Sequence, residues 1–221
     1  EPPLLRIESV TVGLRLISML ERKVDLASLR VEKPVLHVVF YADGSNNWPT
    51  PPRPGNQSWA RNLVNLAVGR YEVSQGLAEF DLHKVPLNIR GEDLQLAMSY
   101  EAAGPRYRGE LSSRRLRISS SATGPAQFDV EGNFILEPER VSFSRLRIAS
   151  GRSRADLTGE LTNLRLPHSK FSVRAQMAMA DTVSLFSLPV SPVGTATFDG
   201  DLTTSFDGGF DFTLAGRASA Q

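Results

Sequence analysis

The chain has 221 residues, 41% of them hydrophobic, enough to bury the core of one large β domain or two small ones, so general disorder is excluded. Its 25 basic and 24 acidic residues leave a formal charge of +1, and nothing in that balance favours nucleic acid or another polyanion. With no cysteine there is no disulfide framework, thiolate metal site or thiol nucleophile, which fits the cytosol or a bacterial periplasm.

From Leu5 to Leu16 apolar residues alternate, most clearly at Val10, Val12, Leu14 and Leu16, which predicts one strand with a bulge. Ser18-Met19-Leu20-Glu21 has capping-box spacing and predicts one helical turn. Val24, Leu26, Leu29 and Val31 lead back into the stretch on which the N-terminal part is organised. There Pro34 precedes Val35 to Tyr41, rich in β-branched and aromatic residues, and Asp43-Gly44 with Asn46-Asn47 supplies turn formers before Trp48-Pro49. Nothing in this stretch has the character of an active site.

The closely spaced prolines of residues 50–58 predict a loop, in which Asn56-Gln57-Ser58 is a glycosylation triplet of the kind that arises by chance. Ser58 is placed to cap a helix from Trp59 to about Arg70 whose apolar face, Trp59, Leu63, Leu66 and Ala67, is expected to lid one end of a β structure, with a membrane-surface role as the alternative. From there to the end the period is two. Val85, Leu87 and Ile89 alternate, then Leu94 to Tyr100, Tyr107 to Leu111, Leu116 and Ile118, Phe128 to Phe134, and so on to Phe210, Phe212 and Leu214. Turn chemistry such as Gly104-Pro105, Gly124-Pro125, Pro138-Glu139 and Gly208-Gly209 separates them, which predicts an antiparallel meander. The intervening positions are polar, so one face of the sheet is wet and the other dry. Phe128-x-Val-x-Gly, Ala155-x-Leu-x-Gly, Ala196-x-Phe-x-Gly and Phe212-x-Leu-x-Gly recur loosely and suggest related β units in tandem.

The predicted organisation is thus a β unit over residues 1–49, a loop over 50–58, a helix over 59–70 and a β-meander over 71–221, forming one continuous domain. The fold class is mainly β: a long curved antiparallel sheet, either an open groove or a partly closed barrel, with one short amphipathic helix. A one-sided sheet must be covered, closed, or left as an apolar groove. Small dry-face residues such as Gly109, Gly132, Gly159 and Gly200 are expected to leave room in its lumen. A filled core and a groove for an acyl chain are both compatible with the pattern.

The strand Leu29, Val31, Pro34, Val35 and Val39, ending in Asp43, Gly44, Asn47 and Trp48, resembles the N-terminal region of the AsmA-like family, the group that includes TamB. Gly132-x-Phe-x-Leu-x-Pro, Val141-x-Phe-x-x-Leu-x-Ile-x-Ser-Gly, Leu157-x-Gly-x-Leu-x-x-Leu and Leu185-x-x-Leu-Pro-Val are similar to the β-rich body of the same family. The resemblance implies a periplasmic segment, anchored to the inner membrane through a part outside this chain, that carries phospholipids between inner and outer membrane along a hydrophobic β-groove. It also implies, as the alternative, an assembly module with a filled core that serves an outer-membrane β-barrel protein. The abrupt opening Glu1-Pro2-Pro3 and the end at Ala220-Gln221 carry the same expectation of a piece of a longer protein.

On that reading acyl chains lie against Leu96, Met98, Phe128, Val130, Phe134, Leu157, Leu161, Val173, Met177, Phe198, Leu202, Phe212 and Leu214, and neighbouring β segments are the other partners. Residues Pro34, Asp43, Gly44, Asn47 and Trp48 carry the family motif. No cofactor, metal or nucleic acid is expected. His37, His83 and His168 lack ligand spacing, and no nucleophile elbow or phosphate loop is present, so no catalytic residue is assigned. His37 is expected on the wet face. Arg115 with Arg117 and Arg145 with Arg147 are expected either to meet lipid phosphates at the rim or to form a solvated face paired with Asp129, Glu131, Asp156 and Glu160.

Overall fold

A computed structural model describes residues 3–15, 26–43, 45, 47, 58–83, 87–120, 125–164, 166–183, 192–205 and 211–221. The helical turn expected at Ser18 to Glu21 and the motif residues Gly44 and Trp48 lie outside them. The strands are β1 (Leu5–Arg6), β2 (Ser9–Leu14), β3 (Leu26–Glu32), β4 (Val35–Phe40), β5 (Arg70–Leu82), β6 (Leu87–Glu101), β7 (Arg106–Ser120), β8 (Ala126–Glu137), β9 (Arg140–Ser150), β10 (Ser153–Thr162), β11 (His168–Ala178), β12 (Thr195–Ser205) and β13 (Asp211–Ala220), with α1 (Trp59–Asn65) between β4 and β5. They form one open 13-stranded sheet that is not closed into a barrel.

From β5 to β13 each strand pairs antiparallel with the next, as the alternation predicts. The N-terminal part departs from the meander. Both β3 and β4 run parallel to β5, β3 along its first half and β4 along its second. The reason is the interruption at Lys33-Pro34: Lys33 has φ of 48° and proline cannot donate to a ladder, so one long strand breaks into two collinear ones. Pairing survives on both sides, with the Lys33 amide donating to Ser74 O at 2.9 Å and the Leu77 amide to Pro34 O at 2.8 Å. On the outer side β2 pairs with β3 and β1 with β4, so the single strand expected over Leu5 to Leu16 is two.

A row of bulges crosses the sheet next to this break. Gln75 in β5 and Asp93 in β6 have φ of 53° and 51°, and the register shifts again within β7–β8, β8–β9 and β9–β10. Each bulge adds a residue and switches the parity of the strand. In β6 the dry face therefore passes from Leu87, Ile89 and Gly91 to Leu94, Leu96, Met98 and Tyr100 without changing side. The buried Ser113 hydroxyl donates to Glu92 O at 2.8 Å, which satisfies a carbonyl beside the Asp93 bulge.

Helix α1 lies on the dry face. Ser58 caps it, accepting from the Arg61 amide at 3.2 Å and donating to the Pro138 carbonyl, and the Arg61 guanidinium meets Glu139 at 2.9 Å, so the β8–β9 turn holds the helix start. The helix is shorter than predicted, and its buried side is different: Ala60 and Val64 face the sheet, while Trp59 and Leu66 stand 53% and 62% exposed. The helix stops at Asn65, with Ala67 at φ of 47°, which turns Val68 inward as the next buried side chain. Under the helix sit Tyr71, Met98, Tyr107, Phe134, Leu136 and Leu164.

Candidate functional site: the dry face of the sheet

Register alone shows how the dry face is assembled. Val10 pairs with Val31, Val31 with Val73, Val73 with Leu96, Leu96 with Leu111, and Leu111 with Gly132. The same row continues through Leu146, Leu157, Val173 and Gly200 to Gly216. A neighbouring row runs Val12, Leu29, Tyr71, Met98, Gly109, Phe134, Phe143, Gly159, Phe171, Leu202, Leu214. Neither row contains a charge, so the face is continuous and apolar from the first long strand to the last.

The glycines of these rows do not leave space, which corrects the expectation of a roomy lumen. A Cβ on Gly109 would lie 2.5 Å from Cζ of Phe134, and one on Gly159 would lie 2.7 Å from Cα and 2.8 Å from Cδ1 of Phe171. Aromatic rings lean across from the adjacent strand into the gap. Phe143 and Phe171, two strands apart, bring their ring centroids to 5.9 Å over Gly159, and Phe134 and Phe143 stand at 6.1 Å. The ring of Phe198 covers Gly200 on its own strand and Gly216 on the neighbouring β13.

The expected lining residues therefore fall into a gradient. Met98 and Phe134 are buried under α1, with Leu96 and Leu161 packed against that cluster. Leu157 and Val173 belong, with Phe171, to a second buried cluster flanked by Phe198 and Leu202. Phe128 and Val130 are half-buried on β8. Met177 is exposed, and Phe212 and Leu214 on β13 are 67% and 54% exposed. At the opposite margin Val10 and Val12 are about half exposed too, at 51% and 50%. The dry face is filled in the middle and open at its edges.

The tyrosine cluster that closes the helix end is a feature the sequence reading does not assign. Tyr107 is fully buried, packs edge-on against Tyr71 at 5.4 Å and with tilted rings against Tyr100 at 5.2 Å, and donates to Leu63 O in the helix at 3.5 Å. Burial pushes the Tyr107 and Tyr71 hydroxyls above their ordinary range.

The wet face is a lattice of ion pairs. Arg147 meets Asp156 at 2.8 Å and Glu131 at 3.9 Å, Arg145 meets Glu131, Arg115 meets Glu92, and Arg140 meets Glu160. Of the expected pairings, Glu131 and Asp156 meet Arg145 and Arg147, whereas Glu160 meets Arg140 and Arg115 meets Glu92 instead. The paired arginines fit the solvated-face alternative. His37 is on this face as expected, 2.7 Å from Asp81, whose other oxygen accepts from Asn88; the His37 bond holds the Asp81 carboxyl below its ordinary range. A depression of about 500 Å³ also lies here, lined by Glu72, Gln95, Glu110, Glu131, Asn133 and Arg145. Its polar, acidic wall does not suit an acyl chain.

The motif residues have structural work. Pro34 makes the β3–β4 break, and Asp43 accepts from the Ser45 amide at 2.9 Å and hydroxyl at 2.6 Å, which keeps its carboxyl below the ordinary range. The Asn47 side chain accepts from the Val39 amide at 2.9 Å and donates to His37 O at 2.7 Å, replacing a neighbouring strand where β1 ends.

No protein family, curated protein or solved structure matches the chain.

Proposed function

We propose that this chain is a β segment of an envelope protein of the AsmA-like type, which holds phospholipid acyl chains against its dry face and lets them pass along it between the inner and outer membranes. The observation that carries the reading is the pair of uncharged rows crossing the whole sheet, open at β12–β13. The filled middle forms a floor, and acyl contact falls on Met177, Phe198, Leu202, Phe212 and Leu214. Apolar contact is non-directional, so a chain lying there can shift between neighbouring positions without breaking specific bonds. Head groups remain in water beyond the edge, and periplasmic placement with an inner-membrane anchor outside the chain belongs to the same proposal.

The burial of Leu157, Phe171 and Val173 supports the other reading, a filled scaffold for outer-membrane protein assembly. Transfer of a fluorescent phospholipid between two vesicle populations separates the two. The lipid reading expects the chain to speed transfer and Phe198→Asp to abolish the effect in folded protein; a folded wild-type chain without effect on transfer would favour the scaffold.

A further inference from the structure

We infer that helix α1 is a hinged lid on the dry face, and that acyl chains pass along the face only when it lifts. This inference rests on the lipid reading and adds a gate to it. Both apolar rows meet the helix: Tyr71, Met98 and Phe134 of one row are buried beneath it, and Leu96 and Leu111 of the other pack against the same cluster. Ala60 is 0% exposed and Val64 1%, so the contact between helix and sheet is closed to solvent. A chain moving along the rows from β3 to β9 therefore runs into α1.

The two ends of α1 are held in different ways. Past its end the Gly69 amide donates to Leu26 O and the Gly69 carbonyl accepts from the Tyr100 amide, both at 3.0 Å, which ties the chain to β3 and β6 through backbone. At its start the ties are side chains on the β8–β9 turn: the Ser58 hydroxyl donates to Pro138 O, and the half-exposed Arg61 and Glu139 form an ion pair. Exposed ion pairs contribute little. Between the helix and Gly69 stand Ala67, at φ of 47°, and Val68, so rotation there swings the helix while the Gly69 anchor stays. The start is a latch and the end a hinge.

Little opposes the swing. The buried side chains of the helix are the small Ala60 and Val64, so lifting it exposes a modest apolar area. The Tyr107 hydroxyl gives up a long bond, 3.5 Å to Leu63 O, and keeps its hydrogen bond with the Tyr71 hydroxyl, so no polar group is orphaned. What the lid uncovers is the stretch of apolar floor formed by Tyr71, Met98 and Phe134, which joins the parts of the rows on either side of it. A detached helix of seven residues does not hold its own hydrogen bonds, so lifting also exposes its amides to exchange.

The chain has no cysteine, which makes cross-linking selective. In the double variant Arg61→Cys with Glu139→Cys, a short bismaleimide joins the two positions and fastens the lid. Transfer of a fluorescent phospholipid between vesicles should then fall to the protein-free rate, while phospholipid bound to the cross-linked chain stays detectable by native mass spectrometry. Before cross-linking the same variant lacks the latch and should transfer at least as fast as wild type. Glu139→Arg sets like charges together at the latch and should speed exchange of the Asn62 and Leu66 amides about threefold, with β7 amides unchanged. A cross-linked chain that transfers as fast as the unlinked one, or α1 amides that exchange only together with those of β7, would overturn the inference. A wild-type chain without transfer would instead defeat the lipid reading, and amide exchange alone would then decide whether the lid moves.

Discussion

Phe171 lies directly opposite Gly159 in the β10–β11 register, and its ring occupies the space a side chain at Gly159 would take. The close approach includes backbone, since a Cβ would stand 2.7 Å from Cα of Phe171. Gly159→Ala is expected to destabilise the chain by about 1–3 kcal/mol through overpacking. Chemical denaturation checks it, and an unchanged midpoint would mean the strands can part freely there.

The gradient across the dry face predicts graded tolerance to charge. Leu157→Asp, at a buried site, should cost about 4 kcal/mol or more and unfold a marginal chain. Leu214→Asp, at an exposed site, should stay within about 0.5 kcal/mol. Phe198→Asp should fall between them and leave a folded protein. Equal losses at Leu157 and Leu214 would contradict the filled-middle, open-edge description.

Asn47→Ala should cost about 1–2 kcal/mol by leaving the Val39 amide and the His37 carbonyl without their partner. Hydrogen exchange reads it locally: the Val39 amide should lose protection while amides in β8 keep theirs.

Two pH limits follow from the perturbed groups. The Tyr107 and Tyr71 hydroxyls are raised in the folded state, so their contribution is complete below the ordinary value of 10.0 and is lost as pH rises past it, when the unfolded chain ionises first. The Asp81 and Asp156 carboxyls are lowered by His37 and Arg147, so their contribution is present above the ordinary value of 3.8 and is lost as pH falls below it. Denaturant midpoints should therefore drop at both ends. Tyr107→Phe should flatten the alkaline limb and Asp81→Asn the acid limb, and limbs that keep their slope in these variants would assign them to other groups.

Much of the sheet is legible in the sequence because alternation survives even where bulges switch it. In β6 the change from Leu87 and Ile89 to Leu94 and Leu96 is visible as a change of parity. Strand β5 is not legible, since Tyr71 and Val73 sit on one parity and Ala78, Phe80 and Leu82 on the other, with Gln75-Gly76 between. Without β5 the parallel pairing of β3 and β4 cannot be anticipated. The helix face is misplaced for a related reason: Trp59 and Leu66 are the most prominent apolar residues, but the small Ala60 lets the helix approach the tyrosines. Asp43 and Asn47 are legible as turn formers. That Asn47 closes a strand edge depends on where β1 ends, which local sequence does not encode.

Native mass spectrometry with lipid extraction, on the chain purified from bacterial cells, asks whether the dry face holds acyl chains. Co-purified phospholipid that is lost in Phe198→Asp, while the protein stays folded, is the expected result. A well-folded wild-type chain free of lipid, or lipid retained undiminished in Phe198→Asp, would contradict it.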